Sequence, residues 1–151
     1  MVTVKPSTTD NDPRTVRITH LIWLVLVLAP LMAATVLTFV PDRSGGSLSC
    51  FGVALPAQCI SRTWFGVFCP TCGISRAMTL FAHGRWGEAF RMHPAGPLLY
   101  AALVAEALYH LTRSLRPAWQ APPWLDRFRI GVFAGLLALC IVRWFVRLTA
   151  A

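Results

Sequence analysis

Charged residues, and acidic ones above all, are scarce in this sequence of 151 residues. Asp and Glu number 6, Lys and Arg number 14, and 13% of residues are charged, against about 25% in ordinary soluble domains. Hydrophobic residues make up 56%, and the mean hydropathy is +0.57. This balance excludes both an ordinary soluble domain and a disordered chain. It predicts an all-α integral membrane protein with one small domain.

Several functional motifs are missing as well. Nothing in the sequence resembles a phosphate-binding Gly-rich loop, a Ser-His-Asp set or a pair of catalytic carboxylates. The net charge of +8 would suit nucleic acid, but the basic residues stand singly between apolar runs and form no stripe. Anionic lipid headgroups explain this scatter better, so we expect the bilayer, and no nucleic acid, as the partner.

Three apolar stretches are candidates for membrane-spanning helices. Residues 1–17 are polar and predict a disordered tail, whereas residues 18–151 predict a single membrane domain. The spans are expected at about 18–40, 94–115 and 128–148. We interpret the first as an uncleaved anchor and not a signal peptide, because its apolar run exceeds the usual length of one. Gly131 and Gly135 in the third have the spacing at which two helices can approach closely, although membrane helices also simply tolerate glycine.

The orientation of these three spans follows from a weak charge bias. Lys and Arg are evenly divided between the two sides, so the positive-inside rule decides only when the long first loop is discounted. The N-terminus is then cytoplasmic, in a multi-pass protein of the cell inner membrane. The Cys-rich loop, residues 41–93, would face an oxidising space.

Two short helical pieces are expected inside the Cys-rich loop. Apolar residues recur at helical spacing over Ile74–His83, and Trp86–Met92 forms a second piece. Both are too short to span a membrane. We therefore expect a Cys-bearing helical segment that lies at the interface or enters the membrane as a re-entrant element.

The most informative motif is the run CPTCGISRA at positions 69–77, with Cys59 before it and His83-Gly84 and His93-Pro94 after it. It resembles a bacterial domain-of-unknown-function family of small membrane proteins marked by C-P-x-C-G-x-[ST]-R-A, and the resemblance covers residues 59–103. His93 stands where the family commonly has Asn. The resemblance implies a membrane setting but no biochemical role. The motif residues besides the two cysteines are Pro70, Gly73, Ser75 and Arg76.

One interpretation of the motif is a structural metal site. Two cysteines separated by two residues can reach the same zinc ion. The candidate ligands are Cys59, Cys69, Cys72 and His83, with Cys50 as a substitute for the histidine. Such a site would staple a loop that has little core of its own, and would support assembly with another membrane protein or a second copy.

Thiol–disulfide exchange is the second interpretation. Here Cys69 is expected in the N-cap region of a helix, where the helix dipole would stabilise its thiolate, and Cys72 would resolve the mixed disulfide. In the third interpretation the cysteines pack, or form a structural disulfide. We favour a non-enzymatic structural site, with a membrane oxidoreductase that uses Cys69 and Cys72 as the alternative.

Polar residues inside the second and third spans form another candidate set. They are Glu106, His110 and Arg143. An unpaired charge there would cost on the order of 2.5–3.5 kcal/mol. Glu106 and Arg143 differ too much in depth to pair directly, so Glu106 is expected to face His110, Arg113 or a re-entrant Arg76, and Arg143 to reach toward the interface. A structural role is favoured over a proton relay.

Overall fold

The computed structural model describes residues 12–41, 47–55, 69, 71–116 and 121–149. Within these ranges the chain is mostly helical, with a small sheet after the first helix. The helices are α1 (Pro13–Val36), α2 (Ile74–Ala82), α3 (Trp86–Met92), α4 (Ala95–Leu115) and α5 (Pro123–Thr149). The strands are β1 (Thr38–Val40), β2 (Ser47–Cys50) and β3 (Val53–Leu55).

Two of the helices, α1 and α5, are long and apolar enough to cross a membrane. The candidate spans are Arg14–Val36, with 23 residues, and Pro123–Thr149, with 27. Their most apolar windows are only 11% and 6% buried, unlike the enclosed core helix of a soluble domain. Helix α4 has 21 residues but is not one of these two candidate spans, and Glu106, His110 and Arg113 lie within it.

Helices α1 and α5 begin earlier than the sequence predicts. Helix α1 starts at Pro13, five residues before the expected position 18, because the Asp12 side chain caps it by accepting a hydrogen bond from the Arg14 N–H at 3.1 Å. Helix α5 starts at Pro123 and not at position 128, since a proline is well tolerated in the first helical turn. Helix α4 ends at Leu115, as expected for the second span, so the connection between α4 and α5 is shorter than expected at the α5 end only. The remainder of the predicted polar tail, residues 1–11, lies outside the described residues.

A three-stranded antiparallel sheet replaces part of the expected loop and also the end of the expected first span. Helix α1 ends at Val36, and the strands follow in the order β1-β2-β3. Strands β2 and β3 are joined by the two-residue turn Phe51-Gly52, whose φ angles are +49° and +84°. Positive φ at both positions is the geometry that suits a tight hairpin. The all-α prediction missed these strands because three or four residues are too few to show an alternating pattern.

Helix α4 is the centre of the packing. It packs along α1, contacts α2 and α3 near its own start, and contacts α5 on another side. The side chains of Ala77, Leu80, Ala89 and Ala95 are at most 1% exposed and mark the core at this junction. A methyl group added at Gly96 would lie 2.5 Å from the Ala77 Cβ. The backbones of α2 and α4 are therefore in close contact, as only a glycine allows.

The two short helices expected in the Cys-rich loop are confirmed as α2 and α3. They are joined through Gly84, which has φ +77°. One face of α2 is buried, through Ala77, Met78 and Leu80, while Ser75 and His83 are exposed. Helix α2 also lies against the C-terminal half of α1, around Pro30–Leu37. The Cys-bearing segment thus sits at the end of the α1–α4 pair where α1 ends and α4 begins.

Candidate functional site

The Cys-bearing turn is the first of two candidate sites. The Cys72 N–H donates to the Cys69 carbonyl at 3.1 Å, and the Ile74 N–H donates to the Thr71 carbonyl at the same distance. The Cys69 Sγ lies 3.4 Å from the Thr71 hydroxyl oxygen. Both cysteines are half-buried. A hydrogen-bonded turn holds its first and fourth residues less than about 7 Å apart between Cα atoms, which is within the range of a disulfide or of a shared metal.

The helix begins later than the redox interpretation requires. Gly73 is the N-cap of α2, with φ +96°, and the first helical residue is Ile74. The expectation that Cys69 occupies the N-cap region is therefore wrong, because Gly73 in the left-handed region separates the turn from the helix. Cys69 therefore stands four residues before the N-cap, whereas the effect of the helix dipole is confined to about one turn.

The structure describes only part of the predicted set of metal ligands. Cys59 and Pro70 lie outside the described residues. His83 is exposed, and its Nδ1 lies 2.8 Å from the Thr79 carbonyl, which leaves Nε2 as the nitrogen available to a metal. Among the residues that the structure describes, no group of three or more His, Cys, Asp or Glu side chains could hold a metal ion. A zinc site that includes Cys59 stays a prediction.

The second candidate site is a polar cluster between α1, α4 and α5. We define it by six residues, which are His20, Glu106, His110, Arg113, Asp126 and Arg129. At its centre Arg129 holds Glu106 by two hydrogen bonds, from Nε to Oε1 at 2.7 Å and from Nη2 to Oε2 at 2.6 Å. The Glu106 side chain is 9% exposed. A parallel pair of this kind is the strongest geometry for an arginine and a carboxylate.

A chain of imidazoles leads from this ion pair toward the helix ends. The His110 Nε2 lies 3.6 Å from Glu106 Oε2, and the two Nδ1 atoms of His110 and His20 are 2.8 Å apart. Arg113 Nε donates to His20 Nε2 at 3.4 Å. Because Nε2 of His20 accepts, the proton of neutral His20 lies on Nδ1 and is donated to His110, whose own proton then faces Glu106. The chain thus has one consistent direction of donation.

Arg143 belongs to neither of these groups. Its Nη2 donates to the Met92 carbonyl at 3.0 Å, at the C-terminal end of α3. The prediction that Arg143 does not pair directly with Glu106 is confirmed, since Glu106 is held by Arg129. Arg143 instead satisfies one of the carbonyls that a helix end leaves without an internal partner. It thereby ties α5 to the Cys-bearing segment.

A cleft of about 890 Å³ adjoins the polar cluster. Its walls come from α1, α4 and α5, and it continues past the cluster between apolar side chains. The apolar lining consists of Val27, Leu103, Ile130, Phe133, Ala134 and Leu137. Trp23 and Tyr109 line the polar end, where the Trp23 ring is parallel to His110 within 11° and the Arg129 guanidinium lies 4.0 Å from the Tyr109 ring centre.

Sequence reasoning missed His20 and Arg129. His20 was hidden because a single histidine near the start of an apolar helix gives no signal by itself. Arg129 was missed because the third span was expected to start at 128, where an arginine is read as an interfacial anchor. The earlier start of α5 at Pro123 places Arg129 nearly two turns inside the helix. Glu106 lies well inside α4 and therefore calls for a partner at a comparable depth in α5. That depth was the signal that could have identified Arg129.

Comparison with known proteins gives a family match. Residues 59–107 match the model of a family described as a protein of unknown function, DUF2752. The matched region runs through the Cys-bearing turn, α2, α3 and the first half of α4, about a third of the chain. It agrees with the resemblance to a family of unknown function carried by the motif. No curated protein and no solved structure matches the chain.

Proposed function

We propose that this chain is a three-span protein of the inner membrane, with a cytoplasmic N-terminus. Its Cys69–Cys72 turn would belong to a structural metal or disulfide site that supports assembly with a membrane partner. The role is non-catalytic. The observation that carries the proposal is the hydrogen-bonded turn, in which the Cys72 N–H bonds the Cys69 carbonyl at 3.1 Å and α2 begins only after Gly73.

Helix α4 supports the third span. Its 21 residues correspond to about 30 Å, the thickness of the hydrocarbon core. The charge of Glu106 is matched by Arg129, so the main obstacle to placing α4 in lipid is removed. Helix α4 also lies between α1 and α5, and it runs antiparallel to each of them, as successive membrane spans do.

The Cys-bearing turn supports a stapling role better than an attacking thiol. Both cysteines are at the ends of one turn, a placement that suits joint binding of a metal or closure of a disulfide. Catalysis by Cys69 would call for a nearby helix N-terminus or a cation to stabilise the thiolate. The start of α2 at Ile74 removes the first of these.

The proposal is tested by counting metal and thiols on detergent-purified protein, before and after reductant, in wild type and in Cys69→Ser and Cys72→Ser. A stapled site predicts about one zinc per chain, or one reducible disulfide, and a lower unfolding temperature in both variants. Cys140→Ser is the matched control. Cys140 is buried in α5 and is not part of the turn, so its loss should leave the metal and disulfide count unchanged.

The same variants separate stapling from redox catalysis. If Cys69→Ser abolishes thiol–disulfide exchange with a substrate dithiol while the unfolding temperature stays at the wild-type value, the oxidoreductase replaces the structural site. The assembly partner is tested by cross-linking in native membranes. Wild type should give a discrete larger species, and Cys69→Ser should lose it.

A further inference from the structure

The cleft beside the polar cluster differs from ordinary gaps between membrane helices because one end is polar and the other is not. His20, Glu106 and Arg129 lie at one end, within two to three turns of the start of α1, the end of α4 and the start of α5. Leu103 and Leu137 lie at the other end, about one turn beyond Glu106 in α4 and about two turns beyond Arg129 in α5. In a three-span protein, which is the arrangement proposed above, the cleft therefore runs from near one interface toward the middle of the bilayer.

The charges around the polar end oppose a charged occupant. Arg113 and Arg129 are balanced by Glu106 and Asp126, and the histidines are neutral in the hydrogen-bonded chain. An anionic head group would meet Glu106 and Asp126, and a cationic one would meet Arg129, with Arg113 behind His20. A neutral head group is repelled neither by the carboxylates nor by the arginines.

The hydrogen-bonding groups at this end favour an acceptor. A guanidinium has five N–H groups, and Arg129 uses three of them, two for Glu106 and one for Asp126 at 3.1 Å. Within the described part of the chain two N–H groups remain, and the Arg129 side chain is still 26% exposed. A carbonyl oxygen is the neutral group that accepts such donors.

The walls favour a flat head group and an apolar tail. The ring of Trp23 is 52% exposed and lies beside His110 and Tyr109 at the polar end. Aromatic faces of this kind stack on planar rings. Beyond them, Phe133 and Leu137 offer only apolar contact. The volume of about 890 Å³ is that of a site for a ligand of small-molecule size.

We propose that this cleft binds a membrane-soluble quinone, with its carbonyl-bearing ring at Arg129 and Trp23 and its apolar tail along Phe133 and Leu137. The quinone is neutral, flat, rich in acceptors and lipid-soluble, which are the four properties that the lining selects. The inference rests on the three-span arrangement proposed above and does not depend on the cysteine turn.

Binding of decylubiquinone to the full-length protein in nanodiscs of zwitterionic phospholipid tests the inference, with quenching of tryptophan fluorescence as the readout. Wild type should show saturable quenching with one site per chain above the background of empty discs. Ala134→Phe narrows the cleft and should weaken binding by about tenfold or more, equivalent to about 1.4 kcal/mol. Ala138→Phe, the same substitution one turn away and outside the lining, should leave binding unchanged.

A second pair of variants keeps the test valid if Ala134→Phe fails to fold. Val27→Phe fills the α1 wall of the cleft, whereas Leu28→Phe changes an exposed neighbour that does not line it. Loss of saturable quenching in the filling variants alone supports the site. Equal quenching in filling and control variants, non-saturable uptake like that of empty discs, or displacement of the probe by an anionic phospholipid would each overturn it. Zinc content and thiol count stay unchanged in all four variants, so failure here is distinct from failure of the cysteine site.

Discussion

At the scale of single residues, the energetics of the fold depend most on Glu106. Its side chain is 9% exposed in a helix proposed to cross the membrane, and Arg129 supplies both of its short hydrogen bonds. The desolvation cost of two buried charges is large, and it is offset only when both remain present. Removing one partner should therefore lower the free energy of unfolding more than removing both.

Arg129→Ala is expected to destabilise the protein by about 3 kcal/mol or more, because it leaves a buried carboxylate without its partner. Adding Glu106→Gln in the same chain should restore much of that loss. The measurement is denaturant or thermal unfolding in detergent. Arg85→Ala is the matched control, since Arg85 and Glu88 are 42% and 52% exposed and such pairs contribute about 0–1 kcal/mol. Equal losses in both single variants would contradict the assigned role of Glu106–Arg129.

At the scale of elements, the close contact is between α2 and α4 and not at the glycine pair of α5. Gly131 and Gly135 have the spacing associated with tight helix packing, but a methyl group added at either would meet nothing within 4 Å. Gly96 is the position where the chain allows no side chain. A helix pair is thus recognised from contacts in space, because the spacing of small residues alone does not say what faces them.

Gly96→Ala should lower the free energy of unfolding by about 1–3 kcal/mol, because the added methyl group would meet the Ala77 Cβ at 2.5 Å and the Ile74 carbonyl oxygen at 3.2 Å. Gly131→Ala is the control. It adds the same methyl group to a helix in open space, where the gain in helix propensity is up to about 1 kcal/mol. Unfolding curves of the two variants that shift in the same direction would contradict the packing of α2 on α4.

At the scale of the whole molecule, the two candidate sites lie at opposite ends of the α1–α4 pair. The Cys-bearing turn lies where α1 ends and α4 begins, while His20 on α1 meets His110 near the end of α4. If all three long helices cross the membrane, the sites are near opposite faces of it. With the N-terminus inside, the cysteines face the outer space and the polar cluster faces the cytoplasm.

Labelling of single cysteines in intact cells with a membrane-impermeant maleimide tests this arrangement. A chain that keeps only Cys50, at the end of β2, should be labelled without permeabilisation. A chain with Arg116→Cys as its single cysteine, just after α4, should be labelled only after permeabilisation. Labelling of both from the outside would show that α4 does not cross, and the reverse pattern would place the N-terminus outside.

The sequence by itself determined the helical class, the apolar character of the first and last helices, the two short helices α2 and α3, and the separation of Glu106 from Arg143. The first three follow from composition and from apolar spacing along one helix, and the last follows from counting residues to the helix ends. It also supplied the resemblance to a family of unknown function, which the family match at residues 59–107 supports.

Only the tertiary structure decided which charges meet, where the backbones touch and where the helices begin. The cap at Asp12 and the proline at position 123 set two helix starts earlier than expected. The second of these places Arg129 inside α5, where it bonds Glu106. Gly73 kept Cys69 out of α2. The reason is physical: periodicity specifies which face of a helix is apolar, whereas an ion pair, a close contact or a cleft depends on the relative depth and rotation of helices that are distant in the chain.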